Sequence, residues 1–435
     1  MRIVIIVVFI LFKLLPDNLN AQYLNDTLEP ELTSKVDSLI NLGIQKKAFP
    51  GAQVIIFKKD SIRINKSYGY HTYDSLIPVS KNDLYDLASV TKVLASTLAL
   101  MKLYEIYGFN IKDPASKWIE PLKKSNKRNH SFEQILSHSA GWLPYIAHQN
   151  LIFNKKGKFK KNTLSKTKNK RFQASVSDSL YVHRRYEKKI FRRIKKTALS
   201  PMGEMVYSGM FYFFLPQLVE KMSGLSFPIF LDTHFYDAMK LDRITFLPKS
   251  EFSKSEIVPT EQDSIFRKQL VHGWVHDEAA SLMGGISGNA GLFANANSIA
   301  PLLQMLLQNG SYQKKQFLKP ETINLFSRRT FPKSDNPRGL GFDKPSLILE
   351  TKNRYPSSLV SSKTFGHTGY TGTMVWIDPE NECFVILLTN RVYPSRQQRG
   401  LYELNIRPKL LDLSLIHISE PTRPRLISYA VFCLK

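Results

Sequence analysis

Cysteine is almost missing from this chain: 435 residues hold two, Cys383 and Cys433. Two cysteines imply no disulfide framework. Cys383 falls in an alternating run, Glu382 to Leu388, and reads as a buried apolar residue. Neither His-Glu-x-x-His nor Cys/His pairs at ligand spacing occur, so a metal centre has no support. Glycine-rich phosphate loops and internal repeats are absent too, and no cofactor is expected. The chain does not lack core material. With 43% hydrophobic residues it can bury a sizeable interior and is no disordered polymer.

Acid is the second scarcity, 36 Asp and Glu against 61 Lys and Arg, for a net charge of +25. The excess is local. Between Lys155 and Lys196, seventeen Lys and Arg face Asp178 and Glu187, which is +15 of the total. Such a run invites a nucleic-acid reading. No aromatic-basic fold motif accompanies it, however, and the N-terminus points to export, where nucleic acid is scarce. The run reads instead as a solvated insertion over the site, spanning about 154–198. A further reading is electrostatic attraction to anionic envelope polymers or carboxylate-bearing substrates.

The export reading rests on Met1-Arg2 followed by ten apolar residues, Ile3 to Phe12. That run is too short for a comfortable membrane span and matches a signal-peptide core, with cleavage expected after Ala21. Residues 1–21 are therefore expected to be a signal peptide, and the protein periplasmic or extracellular. At the other end, Ser414 to Pro424 resembles the translation of a sequencing adapter. Residues 414–435 are set aside as a non-native tail, which leaves 22–413 as one domain.

Ser89-Val90-Thr91-Lys92 carries the chemistry. On a helix, side chains three apart share one face, and a lysine amine there can activate an otherwise weak serine nucleophile. Ser165…Lys168 and Ser311…Lys314 repeat the spacing but lack an apolar frame. Ser89 has one: Leu84 to Ala88 ahead of it, and Val93 to Met101 behind, a run that reads as a buried helix. Partial desolvation favours the neutral amine that a base has to be.

Around it the pattern predicts a helix over Glu31–Ala48, from Leu32, Val36, Leu39, Ile40 and Ile44. A hairpin is expected from Ala52 to about Tyr70, turning at Lys58–Ser61. A second is expected over Thr373–Ile377 and Cys383–Leu388, around Asp378-Pro379-Glu380-Asn381. Helix-rich sequence fills Ala88 to about Met305, and a last helix runs from Arg396 to about Leu410. Terminal helices on an antiparallel sheet, with an all-helical block inserted between its halves, predict an α+β fold of two lobes with the site in the cleft.

Two more segments complete a set. Tyr207-Ser208-Gly209 precedes an apolar helix closed by Gly224, and Phe365-Gly366-His367-Thr368-Gly369-Tyr370 runs into a strand. In this order the chain resembles the serine β-lactamase-related family of class C β-lactamases, DD-peptidases and related esterases. That family carries Ser-x-x-Lys, Tyr-x-Asn and Lys/His-Thr-Gly; Leu136 to Trp142 and Gly284 to Phe293 resemble further stretches of it. The resemblance spans roughly residues 30–410. It implies a β-lactamase/transpeptidase-like fold and Ser89 as a nucleophile forming an acyl-enzyme. It further implies Lys92 and Tyr207 sharing base and acid work, and the backbone N–H groups of Ser89 and Tyr370 as oxyanion hole. His367, Thr368 and Gly369 would line the substrate strand. Gly209 departs from the pattern, because the usual Asn or Asp there contacts the substrate amide. The plainer readings are a core tyrosine at 207, an ordinary strand histidine at 367, and His138 as part of a scaffold turn.

The function expected is an exported serine acyl hydrolase of esters or D-amino-acid peptides, including β-lactam-like amides, acting as a monomer on small or cell-wall peptide substrates. The alternative is a lapsed member of the family that binds peptidoglycan or a partner.

Overall fold

The computed structural model describes residues 30–346 and 355–416. The expected signal segment and the tail beyond 416 lie outside the described residues. Five strands form one antiparallel sheet: β1 (Gly51–Lys58), β2 (Ser61–Gly69), β3 (Phe365–Thr368), β4 (Met374–Asp378) and β5 (Cys383–Thr389), in spatial order β3-β4-β5-β1-β2. The strands β1 and β2 come from one end of the chain and β3 to β5 from the other. Register between β1 and β5 pairs Val54 with Leu387 and Phe57 with Phe384. The two phenyl rings of the latter stack at 4.7 Å, a contact worth about 1 kcal/mol beyond its buried area.

Alternation along these strands sorts side chains to two faces. Val54, Ile56, Met374, Trp376, Val385 and Leu387 pack beneath helix α1 (Pro30–Gln45) and the final helix. Ile55, Phe57, Val375, Ile377, Ile386 and Leu388 face the inserted lobe, where a helix over Ala296–Leu307 covers the sheet. Because both faces are covered, β1, β4 and β5 are buried along their whole length. The α+β reading and both hairpins hold.

Four details differ from expectation. The inserted lobe is not all helix: it carries a three-stranded sheet over Tyr85–Asp86, Ile244–Phe246 and Leu292–Ala294, besides smaller hairpins. The basic insertion is no solvated loop over the site. Leu164–Ser165, Phe172–Ser177 and Leu180–His183 form a sheet, followed by a helix over Tyr186–Lys196 whose Tyr186, Ile190, Phe191 and Ile194 enter the main core. Its charges hid a strongly amphipathic element. The end of the chain divides at Asn405, whose φ of +52° breaks the helix, into Gly400–Glu403 and Ile406–Ile416. That last helix takes in Ser414 and Leu415, both buried, so the fold continues past 413. Ser89, finally, does not open a plain α-helix, as described next.

Candidate active site

The chain enters the site through Asp86, which is buried and turns the backbone. One carboxylate oxygen accepts the Ala88 N–H at 2.8 Å and the other the His276 N–H at 2.6 Å. Ala88 is held at a φ of +46°, a strained value for a residue with a side chain. Ser89 follows in a single 3-10 turn, Ala88–Val90, and a π-helical turn, Lys92–Thr97, leads into the α-helix Leu98–Tyr107. π-turns of this kind cluster at functional sites. Burial of Val93 to Met101 draws Lys92 inside, where it is 2% exposed. Its Nζ donates to Ser89 Oγ at 2.9 Å and to the carbonyl of Asn289 at 3.0 Å.

Tyr207 closes the triangle, its hydroxyl donating to Ser89 Oγ at 3.3 Å. It stands 38% exposed at the rim of a cavity. Burial of the phenol pushes its pKa up. The Lys92 charge, the Ser89 and Lys92 hydrogen bonds and the Arg338 charge more than offset that, leaving it below the ordinary value. A hydroxyl so placed gives up its proton more readily than a free phenol, and the resulting phenolate can take the Ser89 proton as that oxygen attacks a carbonyl. The loop holding Tyr207 is clamped by His138, which is a scaffold residue as expected. Its carbonyl accepts the Val206 N–H at 2.9 Å and its Nδ1 the Ser208 N–H at 3.2 Å. The ring lies 4.7 Å from that of Tyr207. Burial, with help from Arg338 and Lys92, holds the His138 imidazole well below its usual pKa and hence neutral.

Strand β3 faces the triangle. His367 is 3% exposed, and its Nδ1 donates to the Thr368 carbonyl at 2.7 Å. Burial, Arg338 and Lys92 keep it neutral, so the proton sits on Nδ1 and Nε2 is left as an acceptor. The turn after β3 is pinned onto the loop that carries Ser89. Thr371 Oγ1 donates to the Asp86 carbonyl at 2.7 Å and Thr373 Oγ1 to that of Leu87 at 2.9 Å. Glycine is required at 369, because a β-carbon there would stand 2.5 Å from the Leu87 carbonyl oxygen. Tyr370 follows and lines the same cavity as Ser89, its ring stacked on His276 at 5.6 Å with the Arg391 guanidinium 4.6 Å away.

A cavity of about 600 Å³ opens from this point, lined by Ser89, Tyr207, His367, Thr368, Gly369 and Tyr370. Other lining residues were not foreseen, among them Arg338, Lys344, Tyr355, Trp376, Tyr402 and Arg407. Arg407, from the last helix, donates to the carbonyls of Gly369 at 2.7 Å and Thr373 at 2.9 Å. Nothing local in the sequence marks Arg338 or Arg407; they reach the site only through the long-range fold. None of the basic insertion lines this cavity. Instead Arg171, His183, Arg184, Arg185, Lys188, Lys189 and Arg192 surround a separate concavity of about 480 Å³. Lys92 lies behind Ser89 rather than on the cavity wall, and Gly209 lies off the wall beside Asn289. Asn289 was also missed as an individual residue, although the glycine-rich stretch containing it was recognised. Among the described residues no cluster of His, Cys, Asp and Glu could hold a metal ion.

Comparison with known proteins bears on the family and the fold. The sequence model of the family described as Beta-lactamase matches residues 36–406. A protein of Salmonella agona named "Putative D-alanyl-D-alanine carboxypeptidase" is 30% identical over 370 residues, 79% of each chain. Among solved structures, a penicillin-binding protein homologue from Caulobacter crescentus superposes with a TM-score of 0.63 at 14% identity, covering 90% of this chain and 99% of that one. EstCE1, a hydrolase with promiscuous acyltransferase activity, superposes with a TM-score of 0.62 at 18% identity, covering 88% and 98%. At these identities the structural likenesses establish the fold.

Proposed function

The chain belongs to the Beta-lactamase family, and from that premise we propose that it is an exported serine acyl hydrolase acting through an acyl-enzyme on Ser89. The observation that carries the reading is the triangle of Ser89, Lys92 and Tyr207, closed at 2.9 and 3.3 Å on the edge of a cavity. Ser89 Oγ attacks the substrate carbonyl carbon while Tyr207, with Lys92, accepts its proton. The backbone N–H groups of Ser89 and Tyr370 receive the developing oxyanion, a donor there being worth about 3 kcal/mol of barrier. The bond to the leaving group breaks, and the stored proton passes to it. Water then enters by the reverse proton route, splits the acyl ester and restores the serine.

His367 favours esters and D-amino-acid peptides over efficient β-lactam destruction, because a neutral imidazole meets a substrate carboxylate less strongly than an ammonium does. The relative named as a putative D-alanyl-D-alanine carboxypeptidase supports the peptide part of that range. A lapsed enzyme finds no support in an intact triangle. The concavity of the basic insertion is proposed to hold anionic envelope polymers. Asp178 pairs with Lys249 and Lys254, and Glu187 with Gln217, so neither acid of that segment lines it.

The test is acylation. A fluorophosphonate probe should label Ser89 of the full chain and fail on Ser89→Ala, with turnover of a p-nitrophenyl ester lost in parallel. Labelling or turnover that survives Ser89→Ala ends the assignment, and rapid hydrolysis of nitrocefin at neutral pH overturns the substrate preference.

A further inference from the structure

We propose that Arg338 is a positioning residue that holds Tyr207 in its charged, proton-accepting form, supplying beside it the fixed positive charge that His367 does not. The proposal rests on Tyr207 working with Ser89 as described above.

The groups packed around Tyr207 come from six segments. They are Ser89 and Lys92 from the nucleophile turn, His138 from its scaffold turn, and Tyr212 from the helical turn that follows. The others are His367 from β3, Tyr355, and Arg338. Both histidines are buried and neutral. Lys92 and Arg338 are then the cations against the phenol among the described residues, with Lys92 Nζ 5.4 Å and the Arg338 guanidinium carbon 5.7 Å from the ring centre.

These two cations are not equivalent. Lys92 touches Ser89 and exchanges protons during the reaction, so its charge comes and goes. A guanidinium does not trade its proton at working pH. Burial lowers the Arg338 pKa, and Tyr212, Tyr207 and Tyr355 act in the opposite sense. Arg338 therefore supplies a charge that stays constant while the proton moves among Ser89, Lys92 and Tyr207.

The way Arg338 is held supports a functional role. It is 3% exposed and its Nη1 pairs with Asp343, yet Nε and Nη2 have no partner among the described residues. Leaving buried N–H groups unmatched on a charged side chain is destabilising, and packing alone does not require it. An anionic ring beside the guanidinium offsets that cost. Asp343 is the counterweight: by partly neutralising Arg338 it limits how strongly the phenolate is favoured.

The experiment compares Arg338→Gln, Arg338→Lys and Asp343→Asn in the full chain, with thermal melts as a fold control. Two readouts are taken: the pH profile of kcat/KM on a p-nitrophenyl ester, and an ultraviolet titration of tyrosinate with Tyr207→Phe as the blank. Arg338→Gln should lose on the order of 10-fold in kcat/KM at neutral pH and regain it at alkaline pH, as one displaced ionisation requires. Tyrosinate formation should move upward with it, Arg338→Lys should restore most of both, and Asp343→Asn should shift both downward. A folded Arg338→Gln with an unchanged profile and unchanged tyrosinate onset overturns the proposal. Should that variant not fold, Asp343→Asn decides, and no downward shift overturns it. Absence of ester turnover in the unaltered chain would sink the hydrolase reading, while the tyrosinate titration needs no substrate and still judges Arg338.

Discussion

Restoring the family's usual side chain at Gly209 tests how this site chooses its substrate. Gly209 has φ −85° and ψ −5°, a right-handed conformation open to any L-residue. Among the described residues, a β-carbon built there meets a single atom, Asn289 Cβ, at 3.9 Å, an ordinary contact. The β-carbon of an asparagine therefore fits without displacing a neighbour. Removing glycine where the backbone already fits stabilises by about 0.4–1 kcal/mol through the unfolded chain, so the melting temperature should hold or rise. The new carboxamide offers a hydrogen bond to a substrate amide near Ser89, worth about 0.5–1.5 kcal/mol net. That corresponds to roughly 2- to 12-fold in kcat/KM. An ester lacks the amide N–H and should change by less than about 2-fold. The assay sets kcat/KM on a p-nitrophenyl ester against release of D-alanine from a D-Ala-D-Ala peptide. Gly209→Ala is the control, adding the β-carbon without the amide. If the Asn and Ala variants give the same peptide-to-ester ratio, the reasoning fails, and the glycine is not what limits amide recognition.

Other outcomes follow from the same geometry. On the proposed roles Lys92 and Tyr207 act on one proton, so Lys92→Ala should cost about 10³-fold and Tyr207→Phe about 10²-fold in turnover, with the double variant little worse than Lys92→Ala. A Tyr207→Phe enzyme with full esterase activity would reduce Tyr207 to a packing residue. His138 and His367 are neutral in the folded chain, with pKa values pressed below 6.5. The unfolded chain therefore binds more protons as the medium acidifies, so stability is full above about pH 6.5 and falls as pH drops below it. His138→Asn keeps an acceptor for Ser208 and tolerates the φ of +57°, so its melting temperature should decline less between pH 7 and 5 than that of the unaltered chain. Reversing Arg185, Lys188 and Arg192 to glutamate should lower the salt needed for elution from an anionic polymer column, more than reversing three cations outside the insertion does, and leave ester turnover unchanged.

The elements that sequence predicts well are those whose signal is local. Helix α1 shows its buried stripe at Leu32, Val36, Leu39 and Ile40, and the β1–β2 and β4–β5 hairpins show apolar runs around short polar turns. The basic insertion defeated composition because Tyr186, Ile190, Phe191 and Ile194 sit at helical spacing among six cations of the same helix, Lys188, Lys189, Arg192, Arg193, Lys195 and Lys196; charge masked the buried face that makes it part of the core. The strained Ala88 and the π-turn at Lys92 were equally hidden, since both are imposed by contacts with Asp86, His276 and Asn289 from distant segments.

Sequence alone determined which residues are proposed as reactive groups and their order, because Ser89 and Lys92 interact across three residues and β3 carries its glycine punctuation locally. Only tertiary structure decided which charges surround Tyr207. Arg338, neutral His138 and neutral His367 lie far apart along the chain, and their protonation is set by shared burial and by one another's fields, which exist only once the lobes have closed around the cavity.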